Sequence, residues 1–187
     1  MTLNKGSFIA FCFLLIFSGF SKSALAQKER LSGKVIPHFG QTYKVDNPDF
    51  VTDLDTPFKV VFDVSSAPEK ADVKNKWIET AARFLNMHAE AGKPTSQLDV
   101  AMVLHGNASY GLLSNEHYLE KFGVDNPNIE LFEALLDAGV QVILCGQTMV
   151  HRDLGPNRRI PNIQVALSAM TAMIQLQHKG YILINFN

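Results

Sequence analysis

The sequence predicts an α/β fold, a three-layer αβα sandwich around an open and mainly parallel sheet. Three observations carry that expectation. Short apolar runs alternate with longer amphipathic stretches from residue 58 onward. The apolar runs are continuous rather than alternating in polarity, as in strands covered on both faces. The intervening stretches are long enough for right-handed crossovers between parallel neighbours.

The first 26 residues stand apart from the fold. Lys5 gives a positive start, residues 8–20 are rich in Phe, Leu and Ile, and Ala24-Leu25-Ala26 is a small-x-small cleavage site before Gln27. This pattern is that of a secretory signal peptide, and its apolar run is short for a membrane span. Cleavage leaves residues 27–187, enough for one domain with a sizeable core. Lys5 and Lys22 leave with the leader and no acid does, so 17 basic residues become 15 against 18 acidic ones. A slightly acidic chain is not an electrostatic binder of nucleic acid. No later apolar run reaches spanning length, so no membrane contact is expected after cleavage, and the protein is expected to be periplasmic or secreted. Cys12 departs too, which leaves Cys145 without a disulfide partner in its own chain. A lone thiol on an exported protein is either a reactive group or a small packed hydrophobe.

Residues 27–57 contain Gly33, Pro37, Gly40, Pro48 and Pro57, and no helical period survives those breakers. They read as an extended arm laid over the domain or a neighbouring subunit, with Val35-Ile36 and Tyr43-Lys44-Val45 as short edge strands. Residues 58–187 form the domain. Its first strand is residues 58–64, broken by Ser65-Ser66-Ala67-Pro68. A helix is expected from about 70 to 90, with Trp77, Ala81, Phe84, Leu85 and His88 on one core face and Gly92 and Pro94 beyond its end. Residues 98–105 make the second strand. A polar and aromatic loop then covers 109–125, with a helical turn around 115–121. Asn126 and Pro127 suit the cap and first turn of the next helix, Ile129, Phe132, Leu135 and Leu136 its stripe, and Gly139 its stop. The third strand runs up to Cys145, and 147–160 is a polar loop or short helix. Residues 163–178 read as a helix so apolar that it is buried on several sides or lies in a subunit interface. Gly180 ends it, and 181–186 is the closing strand.

Ligand sites in open α/β sheets lie beyond the carboxyl ends of the strands. That rule selects His105 and Cys145, each at a strand end and each followed by a glycine and a polar loop. On neighbouring strands, the imidazole and thiol would share one rim. A histidine or a helix N-terminus beside a thiol lowers its pKa, and the thiolate is the nucleophile. Gly106, Asn107, Gly146, Gln147 and Thr148 are the candidate donors around it. Arg152, with Arg158 and Arg159, is a candidate anion contact. The alternative is that His105 bonds loop backbone and Cys145 is packing. No ligand spacing joins His117, His151, Asp125 and Asp153, so no metal is expected. Ser65-Ser66-Ala67-Pro68 occupies the place of a Gly-x-Gly-x-x-Gly turn, and neither Gly-x-Ser-x-Gly nor Cys-x-x-Cys occurs. These absences argue against a Rossmann dinucleotide site, an α/β-hydrolase and a thioredoxin-type oxidoreductase. No cofactor is expected.

Four stretches together resemble the exported branch of the DsrE/DsrF-like superfamily, over about residues 58–186. They are Val103-Leu104-His105-Gly106, Gly139-Val140-Gln141-Val142-Ile143-Leu144-Cys145-Gly146-Gln147-Thr148, Ala166-Leu167-Ser168-Ala169-Met170-Thr171-Ala172 and Gly180-Tyr181. The resemblance implies a DsrE-like, flavodoxin-like domain that forms homo-oligomers, often trimers or hexamers. It also implies sulfur handling, because the characterised cytoplasmic members are sulfur relay proteins that carry a persulfide on a cysteine beyond a strand end. Cys145 is the position here that takes that role, and the implied partner is a sulfur donor or acceptor protein. The other function the residues allow is a non-catalytic ligand-binding or assembly protein, with a pocket beneath the 109–125 loop and Cys145 as packing.

Overall fold

The structure, a computed structural model, describes residues 29–185. The expected leader, residues 1–26, lies outside the described residues, as do Phe186 and Asn187 of the closing strand. Five strands form one parallel sheet: β1 (Phe58–Val64), β2 (Leu98–Leu104), β3 (Gln141–Cys145), β4 (Gln164–Ala166) and β5 (Ile182–Asn185). Their order is β4-β3-β2-β1-β5. The helices are α1 (Lys76–Glu90), α2 (Asn115–Phe122), α3 (Ile129–Asp137), α4 (Gly146–His151) and α5 (Ala169–His178).

Strand alternation divides the core in two. Phe62, Met102, Leu104, Val142 and Leu144 enter the larger part with residues of α1 and α3. Val61, Ala101, Val103, Ile143 and Cys145 enter the smaller part beneath α5. The expected three-layer architecture is therefore present, with helices on both faces of a parallel sheet. One layer is a single helix thick.

Several boundaries differ from the expectation. The apolar stretch at 163–178 is split: residues 164–166 pair with β3, and the helix begins only at Ala169. Ser168 marks the break, its hydroxyl accepting from the Thr171 N–H at 3.1 Å. The mostly apolar stretch conceals the change of element, because periodicity does not separate a short strand from a helix. The helix is also not buried on several sides. Ala169, Ala172 and Leu176 face inward, while Met170 and Ile174 are exposed. Helix α1 begins at residue 76 rather than 70, capped by Asn75, which accepts from the Trp77 N–H at 3.0 Å. Helix α3 is preceded by Asn128, not Asn126; Asn126 donates to the carbonyls of Gly111 and Leu113 and accepts from the Asn128 N–H.

Residues 29–57 lie on their own domain. The expected short strands do not form, and one antiparallel bridge joins Leu31 to Thr42. Asn86 of α1, 1% exposed, holds this arm. Its oxygen accepts from the N–H groups of Val35 and Ile36, and its nitrogen donates to the carbonyls of Ile36, Phe39 and Gly40. The contact is close enough to require glycine: a Cβ on Gly33 would stand 1.9 Å from the Asn86 amide, and one on Gly40 (φ +64) 2.3 Å from the Arg83 nitrogen. A buried cation secures the far end. Lys93 Nζ donates to the carbonyls of Asp53 and Thr56 at 2.9 and 2.7 Å and lies 4.0 Å from the centre of the Phe58 ring. In the same turn the Thr56 hydroxyl and the amides of Thr56 and Asp55 donate to Asp53 and hold its carboxyl at about 2.

Replacing Asn86 by Ala leaves these arm groups without their partner. The expected cost is roughly 2–4 kcal/mol. A lower urea midpoint with early proteolytic cutting inside residues 29–57 is the expected result, and wild-type values for both would contradict it.

Candidate functional site

Strands β2 and β3 are adjacent, with Leu104 opposite Leu144. His105 and Cys145 therefore follow at the same height on the carboxyl rim. His105 is extended (φ −149, ψ −175) and continues the alternation, so it shares the α5 face with Asp63 and Cys145.

The chain parts beside Cys145. After β3 it turns toward the α1/α3 face, where Met149, Leu154 and Ile160 pack into the larger core. After β4 it turns to the opposite face and enters α5. Two adjacent parallel strands whose connections leave on opposite faces define a topological switch point, where ligand crevices form. Cys145 pairs with Ala166 at this point. A Cβ on Gly146 would lie 2.5 Å from the Ala166 carbonyl oxygen and 3.1 Å from that of Leu167, so glycine is what lets the two loops meet. Gln147 Nε2 closes the same junction, donating to the Leu167 carbonyl at 3.2 Å.

Cys145 is 6% exposed. Burial pushes its thiol up, but the Thr148 hydroxyl and the amides of Thr148, Ala169 and Gln147 outweigh burial and set it below the ordinary thiol value. Those amides belong to the first turns of α4 and α5, so two helix starts face one sulfur atom. The side chain makes no capping bond of regular geometry.

The expected His105 partner is not among the groups acting on the thiol. Its Nε2 pairs with Asp63 Oδ1 at 2.8 Å, and Asn185 Nδ2 donates to Asp63 Oδ2 at 3.2 Å. A carboxylate accepts, so the neutral imidazole carries its proton on Nε2 and keeps Nδ1 as a base. Sequence reasoning missed Asp63. Its signal is a carboxylate one residue from the end of an apolar strand.

The remaining candidates divide into two groups. Gly146, Gln147 and Thr148 surround the thiol. Gly106, Asn107 and Arg152 stand together elsewhere on the rim: Arg152 donates to Asn107 Oδ1 at 2.9 Å, with its guanidinium 4.5 Å from the Tyr110 ring centre. Gly106 (φ +53) is there because a Cβ would lie 2.9 Å from the Ser65 carbonyl oxygen. Arg158 pairs with Glu120 and Asp153, and Arg159 donates to the Leu154 carbonyl, so both brace the loop. A cavity of about 470 Å³ lies beneath the 109–125 loop, with Tyr110, Tyr118 and Phe122 in its wall. Among the described residues no three His, Cys, Asp or Glu side chains gather in a way that could hold a metal.

The model of the DsrE/DsrF-like family matches residues 59–186. Among solved structures, MTH1491 from Methanobacterium thermoautotrophicum, a protein of unknown function, is 15% identical with a TM-score of 0.52, covering 68% of this chain and 98% of that one. The ychN protein from E. coli is 16% identical with a TM-score of 0.50, covering 69% and 99%. At such identities the likeness concerns the fold alone. No curated protein matches the chain.

The depressed thiol has a measurable consequence. Iodoacetamide should modify Cys145 in the native protein with a half-maximal pH below that of a free cysteine. Thr148→Val removes the hydroxyl donor and should shift that pH upward, slowing the reaction several-fold at neutral pH. A profile unmoved by the substitution would contradict the assignment of the donor.

Proposed function

The chain belongs to the DsrE/DsrF-like family, and on that footing we propose that it handles sulfur through Cys145 in the periplasm or outside the cell. The observation that supports this most is the thiol held below its ordinary pKa between the starts of α4 and α5. A group that is both largely buried and biased toward the anion is suited to nucleophilic work.

The chemistry is a sulfane-sulfur transfer. The Cys145 thiolate attacks the outer sulfur of a donor, a new S–S bond forms, and the donor's own S–S bond breaks. From thiosulfate the leaving group is sulfite, and the enzyme-bound product is the persulfide anion. From a hydropersulfide the leaving group is a thiolate, and the sulfane sulfur arrives with a proton. His105 Nδ1, oriented by Asp63, is the base on the same face that takes this proton. The Thr148 hydroxyl and the three amides then stabilise the persulfide anion as they stabilise the thiolate. The burial of Cys145 favours a small donor, or a partner protein that presents its sulfur on a projecting loop.

The cavity beneath residues 109–125 favours a second reading, a ligand-binding protein in which Cys145 is packing. The two part on one measurement. After incubation with thiosulfate or polysulfide, the intact protein should gain the mass of one sulfur and Cys145→Ser should gain none. Equal gains, or a thiol that reacts only after denaturation, would remove the sulfur reading and leave the binding one.

We also propose that copies of the chain associate through the outer surface of β4 and α5. Leu167 is 73% and Met170 70% exposed, with Val165 and Ile174 also exposed on these elements. Apolar exposure of this kind on a folded protein marks an interaction surface. Met170→Glu should convert the assembly to soluble monomers in sedimentation with little change in melting temperature. Aggregation, or an unchanged assembly, would place Met170 outside the interface.

A further inference from the structure

The cavity of about 470 Å³ beneath residues 109–125 is walled by loops at the carboxyl rim of β1 and β2. Residues 67–71, which follow β1, form one part of its wall, and Tyr118 and Phe122 of α2 form another. The Tyr118 hydroxyl ties the two parts together by donating to the Ala71 carbonyl at 2.8 Å. Tyr110, Phe122 and Tyr118 make a continuous aromatic surface, with successive ring centres 5.6 and 4.6 Å apart. Asn75 and Asn128 line the cavity at the starts of α1 and α3 and are 2% and 3% exposed. The volume falls within the range of small-molecule sites, which combine apolar walls with a few polar groups that fix orientation.

The hydrogen-bonding capacity left at this wall is mainly that of donors. An asparagine side chain offers one acceptor oxygen and two N–H donors. Asn75 Oδ1 accepts from the Trp77 N–H at 3.0 Å, Asn128 Oδ1 from the Asn75 N–H at 2.9 Å, and Asn107 Oδ1 from Arg152 at 2.9 Å. All three oxygens are therefore engaged. The nitrogens keep capacity. Asn75 Nδ2 makes one bond, to the Ser66 carbonyl, and Asn128 Nδ2 makes one, to Asn126 Oδ1. Asn107 Nδ2 makes none among the described residues. Lys70 also lines the cavity and has no ion-pair partner among the described residues. Glu69 is the one carboxylate in the lining, and it is exposed. Buried donors call for an acceptor, and the starts of two helices favour an acceptor that is an anion.

We infer that this cavity binds a small aromatic carboxylate. The ring lies against Tyr118 and Phe122, where flat rings pack by their edges and offset faces. The carboxylate accepts from Asn75, Asn107 and Asn128, with Lys70 beside it. A cation of the same shape meets donors and a like charge instead. The inference rests on the cavity of the second reading above and supplies its ligand class. It is indifferent to the role of Cys145, because Ala108 and Tyr118 pack on the α1/α3 side of the sheet and Cys145 on the α5 side.

The experiment is titration of the isotope-labelled protein with 2-naphthoate, and with 2-naphthylmethylammonium as the cation of matching shape, followed through the asparagine side-chain amide signals by NMR. Saturable shifts at Asn75, Asn107 and Asn128 are expected with 2-naphthoate, with binding at least about tenfold weaker for the cation. Asn107→Asp keeps an acceptor for Arg152 and removes the donor. It should leave the melting temperature unchanged and weaken 2-naphthoate about tenfold. Lys70 is exposed, so Lys70→Gln should also fold normally and weaken binding several-fold. Equal affinity for the two compounds would leave the cavity a binding site and overturn the ligand class. Shifts from neither compound would overturn the inference and count equally against the second reading. A 2-naphthoate affinity indifferent to Asn107→Asp, or shifts confined to other asparagines, would place the carboxylate elsewhere and overturn the inference as well.

Discussion

The carbonyl groups of Ala166 and Leu167 press against Gly146 where no side chain has room, and the site depends on that contact. It brings two loops that leave the sheet on opposite faces within reach of one sulfur atom. One loop delivers Gln147 and Thr148, and the other delivers Ala169. A partial charge at a helix start is worth roughly 0.3–1 kcal/mol when exposed and more when partly buried. No one donor overcomes the desolvation of a buried thiolate, but convergent donors from both helices do. A methyl group at position 146 would separate the loops and dissolve this convergence before it touched the cysteine itself.

Much of the fold can be read in the sequence because its signals are local. The strand at 58–64 is an apolar run closed by Ser-Ser-Ala-Pro, and α3 is followed by Gly139 at φ +83, where glycine is favoured. The break between β4 and α5 is harder, because only Ser168 interrupts a run that is apolar on both sides. The choice of rim follows from topology, so Cys145 and His105 were reachable before any coordinates. Their relation was not. The groups that act on the thiol are mostly backbone amides, which no pattern of side chains records. The partner of His105 lies 42 residues away on β1, and only strand order brings the two together.

Polar groups fix the path of the arm, which also contributes the buried Ile36 and Phe39 to the larger core. Asn86 satisfies backbone groups within the loop that the Leu31–Thr42 bridge closes, and Lys93 secures the far end of the arm through two carbonyls. An apolar residue at 86 would keep the packing and lose the register, because a single amide supplies both donor and acceptor. Fixing the arm also fixes α1, whose cap Asn75 lines the cavity beneath residues 109–125. The position of the arm and the shape of that cavity are thus two results of the same helix placement.

The depth of Cys145 bears on oxidation as well as on reactivity. A disulfide requires two Cα atoms within about 4.4–6.8 Å of each other. Cys145, a residue 6% exposed at the end of β3 beside β4, does not bring its Cα that close to the same atom in another copy. The free thiol is therefore insulated by its burial: it does not staple two copies of the protein together.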